Sequence, residues 1–134
     1  MKTLPRLVTA FVAVVAILGC KKDEETQAAN LLGVIVTQSD RIEADNIFTT
    51  RCQTCHGPTG SGDGPGSKGL TPQPRNFHDA SWQTSVSTEH ITKIIRYGGA
   101  SVGKSAAMPA NPDLTERGGV VASLTGKVRS FGGR

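Results

Sequence analysis

The chain has 134 residues, with 15 Lys and Arg against 11 Asp and Glu, a net charge of +4 and 37% hydrophobic residues. That is enough for one small domain, and without a Lys/Arg stripe or reader motif the modest charge excludes a nucleic-acid-binding protein. The aromatic residues are only Phe11, Phe48, Phe77, Trp82, Tyr97 and Phe131. So few large side chains leave a small core hard to stabilise alone, and a buried non-protein group would supply the missing apolar volume.

The amino terminus carries Lys2 and Arg6, then an apolar run from Leu7 to Leu18 broken only by Thr9, then Gly19 and Cys20. A charged start, a short apolar stretch and a small residue before a cleavage point describe an export signal over 1–19. Twelve apolar residues as a helix span about 18 Å against about 30 Å of hydrocarbon, which argues against a permanent spanning helix. Ile17-Leu18-Gly19-Cys20 resembles the lipobox of bacterial lipoproteins. The resemblance implies that Cys20 becomes the lipidated first residue and that acyl chains hold the protein at a membrane surface. An ordinary cleaved secretory peptide with an incidental cysteine is the alternative. Cleavage there leaves 13 basic residues against 11 acidic ones, with 21–50 leaning acidic and the remainder basic.

Residues 20–39 read as a tether, opening with charges and Gln27-Ala28-Ala29-Asn30. The apolar run Leu31-Leu32-Gly33-Val34-Ile35-Val36 interrupts it, as a short strand or a patch docked on the domain. A first helix is expected from about Asp40 to Arg51, with Asp40 and Glu43 as a capping box and Ile42, Ile47 and Phe48 as its apolar positions. From Gly57 to Pro74 the composition is that of a loop. A second helix is expected over Thr88–Tyr97: Ser87 caps it, Val86 and Ile91 staple it, Ile91, Ile94 and Ile95 form its face, and Gly98 stops it. A third helix is expected from about Glu116 to Ser130, where Val120, Val121, Leu124, Val128 and Phe131 recur at helical spacing. Gly118, Gly119 and Gly126 weaken it by about 1 kcal/mol each relative to alanine.

Cys52-Gln53-Thr54-Cys55-His56 carries the chemistry. Cys-x-x-Cys-His reads as covalent attachment of c-type haem: two thiols three residues apart reach the two vinyl groups, and the adjacent histidine supplies an axial imidazole. Three rivals remain. A redox dithiol wants a preceding strand in a βαβ pattern. A structural zinc site needs a fourth ligand, which His78 or His90 would have to supply. A plain disulfide leaves His56 unexplained.

Here the sequence resembles the class I cytochrome c family, over about residues 40–131. Ala44-x-x-x-Phe48-x-x-x-Cys52 is similar to the family's first helix, Met108-Pro109 to its distal-ligand motif, and Pro112-Asp113-Leu114-Thr115-Glu116 to the lead-in to its last helix. The resemblance implies an all-α fold over 40–134, a small domain of three main helices with long loops around one haem c attached through Cys52 and Cys55. It implies His56 and Met108 as the iron ligands, redox protein partners, and one-electron transfer without substrate chemistry. A thioether favours the ferrous state, and His/Met ligation raises the potential. The family fixes its proximal histidine on a proline carbonyl; Pro65, Pro72 and Pro74 compete here, with Pro72 preferred. Arg75, Trp82 and Tyr97 are candidate propionate donors. Phe77, Ile91, Ile95 and Leu124 are candidates for the haem wall. His78 and His90 are alternative distal ligands, with His90 expected to face solvent and His78 harder to set aside.

The chain departs from the family at the crossing of the first and last helices. Ala44 replaces the usual glycine, Lys127 replaces the usual aromatic, and Gly118-Gly119 is unusual within a last helix. These departures predict a looser crossing and a less stable apoprotein. The expected function is electron transfer by an exported, lipid-anchored monohaem cytochrome facing the periplasm or cell exterior. The alternatives are a haem subunit of a larger membrane oxidoreductase complex, a haem-based sensor or gas binder, and a metal or thiol protein without haem.

Overall fold

The structure is a computed structural model that describes residues 33–133. The expected signal over 1–19, Cys20 and most of the tether lie outside the described residues. Among the described residues all regular structure is helical.

Helix α1 spans Gln38–Ile47 and is capped by Thr37, whose hydroxyl accepts from the Asp40 backbone N–H at 3.2 Å while the Asp40 carboxylate accepts from the Thr37 N–H at 2.8 Å. This is a capping box, three residues earlier than the sequence suggested: Asp40 is its reciprocal acid and Thr37 the cap. The inner face buries Ala44 and Ile47, whereas Ile42 is 62% exposed. The chain then widens into a π turn over Phe48–Cys52, closed by the Gln53 N–H on the Phe48 carbonyl, and tightens into the short helix α2, Gln53–His56. A π turn inserts one extra residue and rotates the next turn of helix about its axis. Phe48 and Cys52 line the same cavity.

The Gly-rich stretch after His56 is a loop with one 3-10 turn, Pro65–Ser67. It folds back on α2, with Gly62 N–H donating to the His56 carbonyl at 2.8 Å and Gly64 N–H to that of Cys55 at 3.1 Å. Helix α3, Ala80–Ser85, was not expected; Asp79 caps it by accepting from the Trp82 N–H at 3.0 Å. Gln83 joins it to the end of the chain, donating to the carbonyls of Phe77 at 2.8 Å and Val128 at 2.9 Å. Helix α4 spans Thr88–Tyr97 with Ser87 as its cap, as the sequence predicts. Gly98 ends it at φ 76, and a Cβ there would lie 2.8 Å from the Met108 carbonyl oxygen. Helix α5 spans Gly118–Ser130 and leads into a 3-10 turn, Phe131–Gly133.

Helices α1, α4 and α5 enclose a core of Phe48, Ile91, Leu114, Val120, Val121, Leu124 and Phe131. Phe48 packs on Phe131 with ring centroids 5.5 Å apart, and Phe131 on Phe77 at 6.0 Å. The crossing of α1 with α5 is close, not loose. A Cβ on Gly119 of α5 would lie 2.5 Å from the Asp40 carboxylate of α1, and Ala44 is buried on the inner face of α1. Lys127 takes over the role expected of an aromatic: its ammonium lies 5.2 Å from the Phe48 ring centroid and pairs with Asp45. A lysine stem covers apolar surface while its charge stays in water. Arg117 and Glu43 form a second ion pair across the crossing. Of the apolar run at 31–36, the described part forms no strand. Val34 and Val36 are half-buried, Ile35 is 88% exposed, and the Val34 methyls lie beside Gly118. Among the described residues, contact with α5 reaches back to Val34.

Candidate functional site

The α1–α2 segment, the loop after α2, α4, the Met108 loop and α5 enclose a cavity of about 390 Å3. That lies within the range of small-molecule and cofactor pockets. Cys52, Cys55, His56 and Met108 all line it. Its apolar wall includes Phe77, Ile91, Ile95 and Leu124, as the sequence predicts, joined by Ile47, Phe48 and Ile94. Among the described residues its charged lining is basic: Arg51, Arg75 and Lys104 line it, and no carboxylate does. An apolar cavity with cations and two thiols in its lining fits an apolar macrocycle bearing two carboxylates.

His56 ends α2 with its ring stacked on Phe77 at 4.5 Å between centroids. Its Nδ1 lies 3.3 Å from the Arg75 carbonyl oxygen. The orienting carbonyl is therefore that of Arg75, not of Pro72; Pro72 lines the cavity as a wall residue. The loop reaches His56 one residue beyond Pro74, and the Phe77 N–H, donating to the Gly60 carbonyl, ties this stretch to the turn that follows α2. With Nδ1 occupied, Nε2 is the nitrogen left for a metal, and the Arg75 carbonyl fixes the tautomer and ring plane. Burial holds the imidazole below its ordinary pKa, and the bond to Arg75 opposes that only in part. The neutral, metal-binding form is therefore favoured.

Burial pushes the Cys52 thiol up to about 11. Redox-active cysteines have depressed pKa values in electropositive surroundings. A thioredoxin-like role is disfavoured on that ground, and no strand precedes the pair among the described residues. Nor do three or more His, Cys, Asp or Glu side chains converge as a metal site among the described residues.

Arg75 and Trp82 are brought together on the wall. The guanidinium lies 5.7 Å from the Trp82 ring centroid and 3.4 Å from an Asp79 carboxylate oxygen. Tyr97 is 48% exposed and does not line the cavity. The two spare histidines exchange roles relative to expectation. His78 points away, with Nε2 2.8 Å from the Thr59 carbonyl oxygen and its ring edge-on to Phe131. His90 is half-buried and lines the cavity. Sequence reasoning missed Arg51, Lys104 and Asn111 as lining residues. Asn111 sits before Pro112, where it reads only as a turn residue.

No described helix is long and apolar enough to cross a membrane. No curated protein and no solved structure matches the chain. The family described as Cytochrome c matches residues 43–118, more than half the chain, a span containing both cysteines, His56 and Met108. With the thiol pair, the histidine and a cavity suited to a macrocycle already in place, the chain belongs to the cytochrome c family, an electron-transfer protein with covalently attached haem c that works with redox protein partners.

Proposed function

We propose that the protein carries single electrons at the outer side of a membrane, with His56 and Met108 as the axial ligands of one haem and a lipid on Cys20 as its tether. The observation that supports this best is that Met108 lines the same cavity as Cys52, Cys55 and His56. When bound, the haem supplies a one-electron ferric/ferrous couple. The protein's residues do the rest. Cys52 and Cys55 make the attachment permanent; His56, held by the Arg75 carbonyl, presents Nε2; Met108 fills the remaining position and leaves none for substrate. That arrangement favours a carrier over an enzyme or gas sensor. Arg75 and Trp82 hold the propionates. The chain divides into a signal at 1–19, a lipidated tether from Cys20 to about 39, and the haem domain from there to 134. The lipid anchor places the domain in the periplasm or at the cell exterior, where it serves a donor and an acceptor, one of which a membrane oxidoreductase complex would provide.

A second reading has one observation in its favour: His90 lines the cavity and would give bis-histidine ligation. The ferric absorption spectrum separates the two, because only a sulfur–iron bond gives the weak red band. For the tether, Cys20→Ser should move the haem protein from the membrane to the soluble fraction. Persistence of the variant at the membrane would overturn the lipid anchor.

A further inference from the structure

The outgoing arm of the Met108 loop is tied to the rest of the domain at Asn111, and that residue also touches the haem-attachment segment. Asn111, three residues after Met108, donates from Nδ2 to the Ile95 carbonyl at 2.7 Å, and its backbone N–H donates to the Arg96 carbonyl at 2.9 Å. These bonds fix the outgoing arm of the loop to the last turn of α4. The Asn111 side-chain oxygen accepts from Arg51 Nη1 at 3.3 Å. Arg51 immediately precedes Cys52, in the π turn that brings the thiols to the cavity. The same nitrogen donates to both carboxylate oxygens of Asp113, at 2.9 and 3.0 Å. The incoming arm is held separately, by Gly99 N–H donating to the Met108 carbonyl at 3.0 Å.

We infer that Arg51 and Asn111 are positioning residues for the axial sulfur: a strut between the helix that bears the haem cysteines and the loop that bears Met108. The inference rests on Met108 being an iron ligand. Loop side chains are ordinarily mobile, and a thioether is a weak, displaceable ligand. Without the strut, the Met108 loop remains attached to α4 only, and its distance from the cysteines is no longer set by a direct link. The strut contributes little to global stability, because the Arg51 and Asp113 side chains are 46% and 48% exposed and exposed pairs are weak. It acts on the local opening of the loop, which has a lower free energy than global unfolding. A purely structural role would show in the thermal midpoint; a positioning role shows in competition for the iron.

The test is titration of the ferric haem-loaded protein with imidazole, reading loss of the red sulfur–iron band, for wild type, Arg51→Met, Asn111→Ala and the double variant. The strut predicts that each single variant retains the red band, binds imidazole at least tenfold more tightly, and shifts the thermal midpoint by only a few degrees. Both variants remove the shared Arg51–Asn111 bond, while Arg51→Met also removes the bonds to Asp113 and Asn111→Ala the bond to Ile95, so the effect in the double variant should fall short of the product of the single effects. A red band with imidazole affinity unchanged within twofold would overturn the strut alone, as would multiplying effects in the double variant. Absence of the red band from the wild type would overturn Met108 ligation, and the strut with it.

Discussion

The Asp40 carboxylate of α1 lies against the backbone of Gly119 in the first turn of α5: a Cβ on Gly119 would sit 2.5 Å from Asp40 Oδ2. The same carboxylate accepts from the Thr37 N–H and hydroxyl, so it cannot swing away without releasing the cap of α1. It also places negative charge at a helix N-terminus, where the dipole favours it. One side chain thus joins the start of α1 to the start of α5, and Gly119 makes the approach possible.

A Gly119→Ala substitution should gain none of the usual benefit of alanine in a helix. Alanine is favoured over glycine by up to about 1 kcal/mol, and loss of a cap costs about 1 kcal/mol, so the two should cancel. In an Asp40→Ala background the clash is gone and Gly119→Ala should stabilise. A double-mutant cycle by urea denaturation should show a coupling of about 1 kcal/mol; additivity would mean the contact carries no energy.

Asp40 also gives an acid dependence of known sign. The Thr37 side chain, then its backbone N–H, hold the Asp40 carboxyl below its ordinary value of 3.8. Between the folded and unfolded pKa the native state binds fewer protons, so stability rises with pH in that window. The contribution is complete above the unfolded value and is lost as pH falls through the folded one. The stability difference between wild type and Asp40→Asn should therefore shrink as pH falls through the ordinary carboxylate range and below it. A difference that stays constant would remove Asp40 from the acid response.

Phe77 joins the core to the site, since its ring faces His56 on the cavity side and Phe131 within the core. Truncation of a buried phenylalanine costs about 3–5 kcal/mol. Phe77→Ala should lose about that much by denaturant midpoint and should also alter the haem Soret band, because His56 loses its stacking partner. Loss of stability without a spectral change would make Phe77 a core residue only.

Met108→Ala should leave the haem covalently attached through Cys52 and Cys55 while abolishing the red band. Axial ligands set haem potentials across about 0.8 V, so replacing the thioether should lower the potential by roughly tenths of a volt. An unchanged potential and band would mean that Met108 is not the sixth ligand.

Those parts of the fold governed by local chemistry were legible in the sequence. Helix α4 matches over Thr88–Tyr97 because Ser87, the isoleucine face and Gly98 all act within a few residues of each other. The start of α1 was displaced because aspartate serves either as a cap or as the reciprocal acid of one, and only the backbone at Thr37 decides. Helix α3 carries no apolar period in its six residues and depends on Gln83 reaching Phe77 and Val128. The attachment motif was readable because its ligands lie within five consecutive residues. The carbonyl that holds His56 was not, since closure of the loop selects Arg75 over three nearby prolines. The α1–α5 crossing was misread for a similar reason. Alanine for glycine and lysine for an aromatic look like losses one by one, and the structure offsets them together with Gly119, Asp45 and the Lys127 ammonium over the Phe48 ring.

The most direct measurement is the absorption spectrum of the protein expressed with a haem-attachment system, first oxidised and then reduced. Haem attached through Cys52 and Cys55, with His56 and Met108 on the iron, predicts a weak red band in the ferric state and sharp low-spin c-type bands on reduction. A haem spectrum without the red band would contradict Met108 ligation. No covalent haem at all, with attachment working on a control protein, would contradict the account at its root.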